Sequence, residues 1–553
     1  MGNQSSSNKR KALPIDSPFK LPAGTPVWPQ GDGFGRGIID LGDLQVSQVS
    51  SFNKVWTTFD GGPDNAGATF FEPASIPDEF SMLGCYAQPN NKPLFGWVLV
   101  AKPNSSAENG ALAKPVDYTL AWTSKSLDIK QDNTGYFWLP TPPDGYKAVG
   151  HVVTASPEKP SLDRIRCVRS DLTDQTETHS WIWGPGKSSS DSDGFNVYNT
   201  RPTNRGIQAP GVPVGTFLAQ NGGTNGTLSI ACLKNTKLDF SSMPNLPQAE
   251  ALMEAYAPLM YLHRDEKYLP SSVKWYFANG ALLYTRGEES KPVAINESGS
   301  NLPQGGDNDG AYWIDLPEDK SNQERVKRGD LQSFQAYLHI KPMFGATFTD
   351  ISIWIFYPFN GPSIAKVVVL EKISLGQIGE HVGDWEHVTL RISNFNGELN
   401  SVYFSQHSGG QWVNVSELEF QSGKNKPVAY SSLNGHALYS RPGHVLQGTK
   451  TIGIRNETQK SEKFVDLGKG FEVVAGEYLG SAISEPAWLN YRRHWGPKIS
   501  YKIDEELDKV EKVLPENLRS GFRKFRDSLP NELFGEEGPT GPKLKTSWSG
   551  DER

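Results

Sequence analysis

Leu83–Lys102 reads LGCYAQPNNKPLFGWVLVAK, Val149–Arg169 reads VGHVVTASPEKPSLDRIRCVR and Val214–Lys234 reads VGTFLAQNGGTNGTLSIACLK. Laid over one another, each opens on a glycine (Gly84, Gly150, Gly215) and breaks at a polar turn. The turns are Pro89-Asn90-Asn91, Ser156-Pro157-Glu158-Lys159 and Asn221-Gly222-Gly223, and each segment then ends on a β-forming run closed by Lys or Arg. The glycines recur roughly every 65 residues, a period that marks repeated supersecondary units sharing one core. Each segment is predicted to be a hairpin.

Other landmarks keep the same period. Trp56, Trp122 and Trp183 precede the three glycines, and Gly67-Ala-Thr-Phe-Phe, Gly135-Tyr-Phe-Trp and Gly194-Phe-Asn-Val-Tyr lie between. Three such units predict a triangular set of three sheets, a threefold β-prism-like domain over residues 41–236. Cys167 and Cys232 fall where Ala101 stands in the first unit, so the position reads as core packing and not redox chemistry. The pattern resembles the β-prism domains of membrane-trafficking adaptors and, more remotely, prism-fold lectins. That resemblance implies acidic lipids or glycans held by loops at one end; the alternative is a docking scaffold.

Working outward, 553 residues predict two to four domains at roughly 100–200 residues each. The 55 Gly and 39 Pro, with 15 Trp, 19 Tyr and 26 Phe, suit many short strands and tight turns. Net charge is −7 and neither half is basic, which argues against a nucleic-acid partner. Three cysteines do not make a disulfide framework. The first residues carry no apolar run of the signal-peptide kind, and Ile351–Phe359 is too short to span a bilayer. A cytoplasmic protein is expected. Met1-Gly2-Asn3-Gln4-Ser5-Ser6 fits N-myristoylation at Gly2, with Lys9, Arg10 and Lys11 as a second, basic membrane signal.

Residues 1–40 are expected to be flexible and 235–250 to be a linker. Over 250–500 strands alternate with turns without a regular βα rhythm, which predicts a β-sandwich. Residues 287–330 are predicted to be a long surface insertion. Ile503, Leu507, Val510, Leu518, Phe522 and Phe525 recur at helical spacing, so 501–553 is expected to be a short helical tail with a polar end. The fold class expected is therefore mainly β.

Eight of the ten histidines lie at or beyond residue 263. The densest chemistry is Glu380-His381-Val382-Gly383-Asp384-Trp385-Glu386-His387. On a strand Asp384 and Glu386 share one face while Trp385 and His387 take the other. A kink at Gly383 would swing His381 toward the two carboxylates. Two carboxylates and an imidazole make a mixed N/O site for a divalent cation, Ca or Mg rather than Zn. The alternative is a strand end with a buried Trp and scattered charges. His407 and His436, in the turns SQHSGGQW and SLNGHALY, would line the same pocket or bond to backbone. His263 and Asp265, beside Glu266, form another polar loop.

Two resemblances bear on this. FFEPASIPDEFSMLGCYAQPNNKPLFGWVL, YLPSSVKWYFANGALLY, HVGDWEHVTLRISNFNGEL and FGEEGPTGPK are similar to the vacuolar protein sorting-associated protein 62 family over nearly the whole chain. That family name is a trafficking label and implies no biochemical activity. Residues 255–450 resemble the necrosis-inducing cytolysins, whose signature heptapeptide is GHRHDWE; EHVGDWE stands here, with IWIFYPFN before it and SQHSGG after it. The resemblance implies a divalent cation on His381, Asp384 and Glu386 that helps engage sphingolipid headgroups. Val382 and Gly383 replace the family's Arg and second His. Those cytolysins are also secreted, which puts cytolytic activity in doubt.

No Gly-X-Ser-X-Gly elbow or HExxH occurs, and Gly443–Lys450 breaks the P-loop order. Three functions remain open. One is a membrane-associated protein that binds a lipid or glycan headgroup through a metal site. The others are a metal-dependent hydrolase on the same carboxylates and a scaffold without metal.

Overall fold

A computed structural model describes residues 18–553 except 105–109, 186–193, 223–227, 368–369, 376, 408, 449–451 and most of 499–537. Gly2 and most of the expected helical stripe lie outside the described residues; Phe522, from that stripe, is helical and buried. The fold is mainly β.

Each N-terminal unit contributes one three-stranded antiparallel sheet. The strands are Phe52–Thr58, Ala68–Pro73 and Tyr86–Pro89, then Asp117–Thr123, Tyr136–Thr141 and Val152–Thr154, then Thr176–Trp183, Phe195–Pro202 and Phe217–Asn221. Trp56, Trp122 and Trp183 meet inside, with ring centroids 5.4 to 6.2 Å apart. Phe70, Phe137 and Phe195 fill between them. Edge-to-face pairs of this kind add about 0.5–1.5 kcal/mol each beyond area burial.

The predicted hairpins are overturned. Tyr86–Pro89 pairs with Ala68–Pro73, whereas Val98–Pro103 pairs with Leu44–Val49 in another sheet. The third unit splits likewise, Phe217–Asn221 joining Phe195–Pro202 and Cys232–Lys234 joining Gly211–Val212. Each polar connection carries the chain to a second tier of sheets, packed around Val46, Leu99, Val168 and Leu233. The repeated glycines mark where the units cross. A Cβ on Gly84 would lie 2.9 Å from Gly150 Cα, and one on Gly150 would lie 2.8 Å from Thr216 Cβ. Gly215 adopts φ +79° with Trp97 O against it. Backbone N–H of Cys85 donates to His151 O at 2.8 Å, tying the first unit to the second. All three cysteines are free and buried. Burial pushes the thiols up, to about 12 for Cys85 and Cys232 and about 11 for Cys167.

The second half is organised by a six-stranded sheet in the order Gly409–Asn414, Leu399–Gln406, His381–Ser393, Phe348–Asn360, Ala336–Met343 and Phe471–Ala475. The last pair is parallel and the others are antiparallel. Ile351, Ile353, Ile355, Val388 and Leu390 cover one face. It packs on Leu252, Met253 and Tyr256 of the helix Leu246–Tyr256 and on Met260 and Ala429 of a four-stranded sheet. That helix starts at a capping box. Asn245 accepts from the Gln248 backbone, and the Gln248 side chain accepts from Asn245 N.

The other face is aromatic at one end, where Trp354, Phe356 and Trp385 meet Trp488 and Trp495. At the other end it is charged and still buried, with Lys341, Asp350, Thr389 and Arg391. Gly538–Arg553 covers it. Asp551 accepts from Arg391 at 2.6 Å and from Arg205 at 2.9 Å. Glu552 accepts from Thr389 at 2.7 Å and lies 3.0 Å from His387 Nε2. Within the polar end, Asp551 and Glu552 are thus buried, because they match partners far back in sequence.

Residues 287–330 are largely exposed, as a surface insertion should be, but Ile295, Leu302, Ile314, Leu316 and Val326 anchor them in the aromatic cluster. One further expectation is corrected. The flexible N-terminus expected as far as residue 40 is seated from Ala23 onward, with Ala23 N on Asn425 Oδ1 at 2.7 Å and Trp28 Nε1 on Asn396 O at 2.9 Å. No described helix is long and apolar enough to cross a membrane.

Candidate functional site

The strand His381–Ser393 lies between Phe348–Asn360 and Leu399–Gln406 in the central sheet. Its register is unbroken on both sides of Gly383, which faces Pro358, a residue with no N–H to give. Gly383 takes φ +68°, and a Cβ there would meet Trp495 O at 2.4 Å. Only glycine fits. The alternation read from sequence holds: Trp385 packs on Trp488 and Trp495, while Asp384 and Glu386 face the opposite side.

Asp384 and Glu386 are both buried. Asp384 Oδ2 lies 2.9 Å from His436 Nδ1. His436 Nε2 lies 3.1 Å from Tyr268 O and 3.9 Å from Glu266 Oε2. Each ring nitrogen therefore faces an acceptor. The ring stacks on Tyr357 at 3.7 Å. Glu386 accepts from the Ser405 hydroxyl. Burial, then the neighbouring Asp384 charge, pushes the Glu386 carboxyl well above the usual range. Burial opposes ionisation at Asp384 too, but His436 and His381 outweigh it and hold that carboxyl down.

The sequence candidates fare unequally. His381 is drawn to this cluster, and Asp384 and His381 feel each other's charge. Yet His381 Nδ1 lies 3.0 Å from Gly383 O. His436 joins the cluster. His407 turns away, its Nε2 3.0 Å from Asn456 Oδ1. His263 Nδ1 accepts from Asp265 N at 3.1 Å, and its Nε2 lies 3.6 Å from Glu457. The Asp265 side chain is exposed. The acid that reaches the cluster from that loop is Glu266, which accepts from Lys267 N, Tyr268 N and Asn434 N. Sequence reading placed Glu266 in a polar loop and left Ser405 and Tyr268 unremarked.

As placed, these side chains do not fit a metal ion: among the described residues no three His, Cys, Asp or Glu converge to hold one. Asp384 is bonded to His436 and Glu386 to Ser405. What the arrangement does chemically is hold two buried carboxylates beside an imidazole, one bonded to that imidazole and the other to a serine hydroxyl.

Comparisons with known proteins agree on the family. The curated Vacuolar protein sorting-associated protein 62 of Saccharomyces cerevisiae is 25% identical over 291 residues, 44% of this chain and 58% of its own. The Putative vacuolar protein sorting-associated protein TDA6 of the same yeast is 25% identical over 214 residues, 34% of this chain and 42% of its own. The chain thus spans less than two thirds of either relative. Among solved structures, GNIP1Aa from Chromobacterium piscinae is 18% identical with a TM-score of 0.29, covering 39% of this chain and 40% of that one. Necrosis and Ethylene inducing Protein 2 from the causal agent of cocoa's Witches Broom disease is 14% identical with a TM-score of 0.19, covering 34% and 67%. At those scores neither bears on the ligand of this chain. The model of the Vacuolar protein sorting-associated protein 62 family matches residues 15–552, nearly the whole chain, and the chain belongs to that family.

Proposed function

We propose that this protein is a binding protein of vacuolar sorting that recognises a lipid or glycan headgroup at an intracellular membrane surface, and is not an enzyme. The family supports the sorting role. The observation that carries the non-catalytic reading is the state of the acid–base groups. Asp384 and His436 are buried and bonded to each other, and the buried Glu386 accepts from Ser405, so these three groups are engaged inside the protein. Vesicle flotation tests the reading. The full chain should float with vesicles carrying an anionic or glycosylated headgroup, and failure with every such vesicle would sink it.

A second reading has one observation in its favour. Two buried carboxylates side by side repel, and a divalent cation shared by Asp384, Glu386 and His381 would offset that repulsion. It requires His436 to release Asp384. Metal analysis of the purified protein beside an Asp384→Ala/Glu386→Ala variant decides it: equal and negligible metal in both ends the cation reading.

A further inference from the structure

We propose that the cleft between the two halves is the headgroup site, built for a hydroxylated six-membered ring that carries a phosphate. The proposal rests on the reading of the protein as a headgroup binder and names where, and with what chemistry, the headgroup is held. The cleft has a volume of about 380 Å³, within the range of small-ligand sites and large enough for a sugar phosphate. It is distinct from the Asp384–His436 cluster, which lies on the opposite face of the central sheet.

Lys92 and Trp97 come from the first half and Trp412 from the edge strand of the second. Among the described residues, Lys92 Nζ makes no hydrogen bond or ion pair. Burial lowers its ammonium, and only Glu417 works against that. Lys92 is part-exposed, and an anion placed beside its unpaired ammonium would supply the charge partner that the protein does not. His179 is exposed at the edge of the cleft, and partial desolvation together with the Arg201 and Arg205 charges lowers its imidazole. A neutral imidazole offers one donor and one acceptor to hydroxyl groups.

The aromatic walls suit a ring. Arg391 is committed to Asp350 and Asp551, so it is not the anion's partner. Its guanidinium lies 4.0 Å from the Trp412 ring and 4.6 Å from the Phe344 ring, which fixes the indole in place. Among the described residues neither Trp97 nor Trp412 donates its indole N–H to a protein acceptor. Trp97 packs on Phe348 and Trp412 on Arg391 and Tyr403, so each lends the cleft the rest of its ring surface and a spare donor. A phosphate on Lys92 with the ring against Trp412 uses the free cation, the free donors and the aromatic faces together.

The source of such a ring is either a free sugar phosphate or a phosphoinositide headgroup. The experiment is calorimetric titration of the full chain with glucose 6-phosphate against glucose, beside flotation with vesicles containing phosphatidylinositol 4-phosphate. Wild type should bind the phosphorylated probe in one of the two arms, and that arm identifies the source. Lys92→Gln, with an unchanged melting temperature, should weaken that binding at least tenfold. Trp412→Leu should weaken it too; if that variant fails to fold, Lys92→Gln alone decides. If vesicles bind wild type and Lys92→Gln alike, the cleft assignment falls while the headgroup reading stands. If neither probe binds wild type, the cleft assignment falls as well.

Discussion

Asp384 and His436 come from segments 52 residues apart and meet at 2.9 Å inside the second half, each with its charge or dipole turned away from water. His436 bridges the central strand to the Tyr268 backbone. His436→Ala would leave a buried carboxylate without its partner, a change that costs about 3–5 kcal/mol. The urea midpoint of the full chain measures it. A loss under about 1 kcal/mol would show that the pair is solvated in solution.

The glycine crossing gives a second prediction. Gly84→Ala puts a methyl 2.9 Å from the Gly150 backbone and should destabilise by about 1–3 kcal/mol through overpacking. Gly24→Ala is the control, because a Cβ there meets nothing within 4 Å. Thermal melting should separate the two variants clearly, and equal melting temperatures would refute the close crossing.

The C-terminal acids set the acid limb of stability. Burial works to raise the Asp551 carboxyl, but Arg391 and then Arg205 outweigh it and hold it below the usual range. A carboxyl lowered by folding contributes stability that is present above its unfolded value, about 3.9. That contribution is lost as pH falls through the lower folded value. Asp350, raised by burial, works in the opposite direction. Asp551→Asn should therefore flatten the fall in stability below about pH 4. An acid limb identical to wild type would show that Asp551 contributes nothing to it.

The cysteines offer a third check on burial. With thiols pushed to about 11 and 12, almost no thiolate is present at neutral pH, and the side chains are enclosed. A thiol-specific reagent should label none of Cys85, Cys167 and Cys232 in the folded chain and all of them in urea. Rapid native labelling at any one would contradict the packing at that position.

The threefold repeat was legible because Trp, Gly and a small Ala or Cys recur at nearly constant offsets, and each corresponds to one structural need: the aromatic core, the close crossing, a small inward side chain. The hairpins were misread because two β-forming runs joined by a turn look alike whether they pair with each other or pass between tiers. The facing of Asp384 and Glu386 followed from strand alternation. The burial of Asp551 and Glu552 did not, since their partners Arg391 and Thr389 lie roughly 160 residues away and nothing local distinguishes a buried acid from a solvated one. Glu266 was passed over for Asp265 for the same reason: neighbours in one loop point to different surroundings.

The most direct test of the binding account is flotation of the purified full chain with vesicles of two kinds. One holds phosphatidylcholine alone, and the other adds phosphatidylinositol 4-phosphate and a glycosphingolipid. The account predicts that the protein floats only with the second kind and hydrolyses neither added lipid. Protein that stays at the bottom of the gradient with both kinds would contradict it.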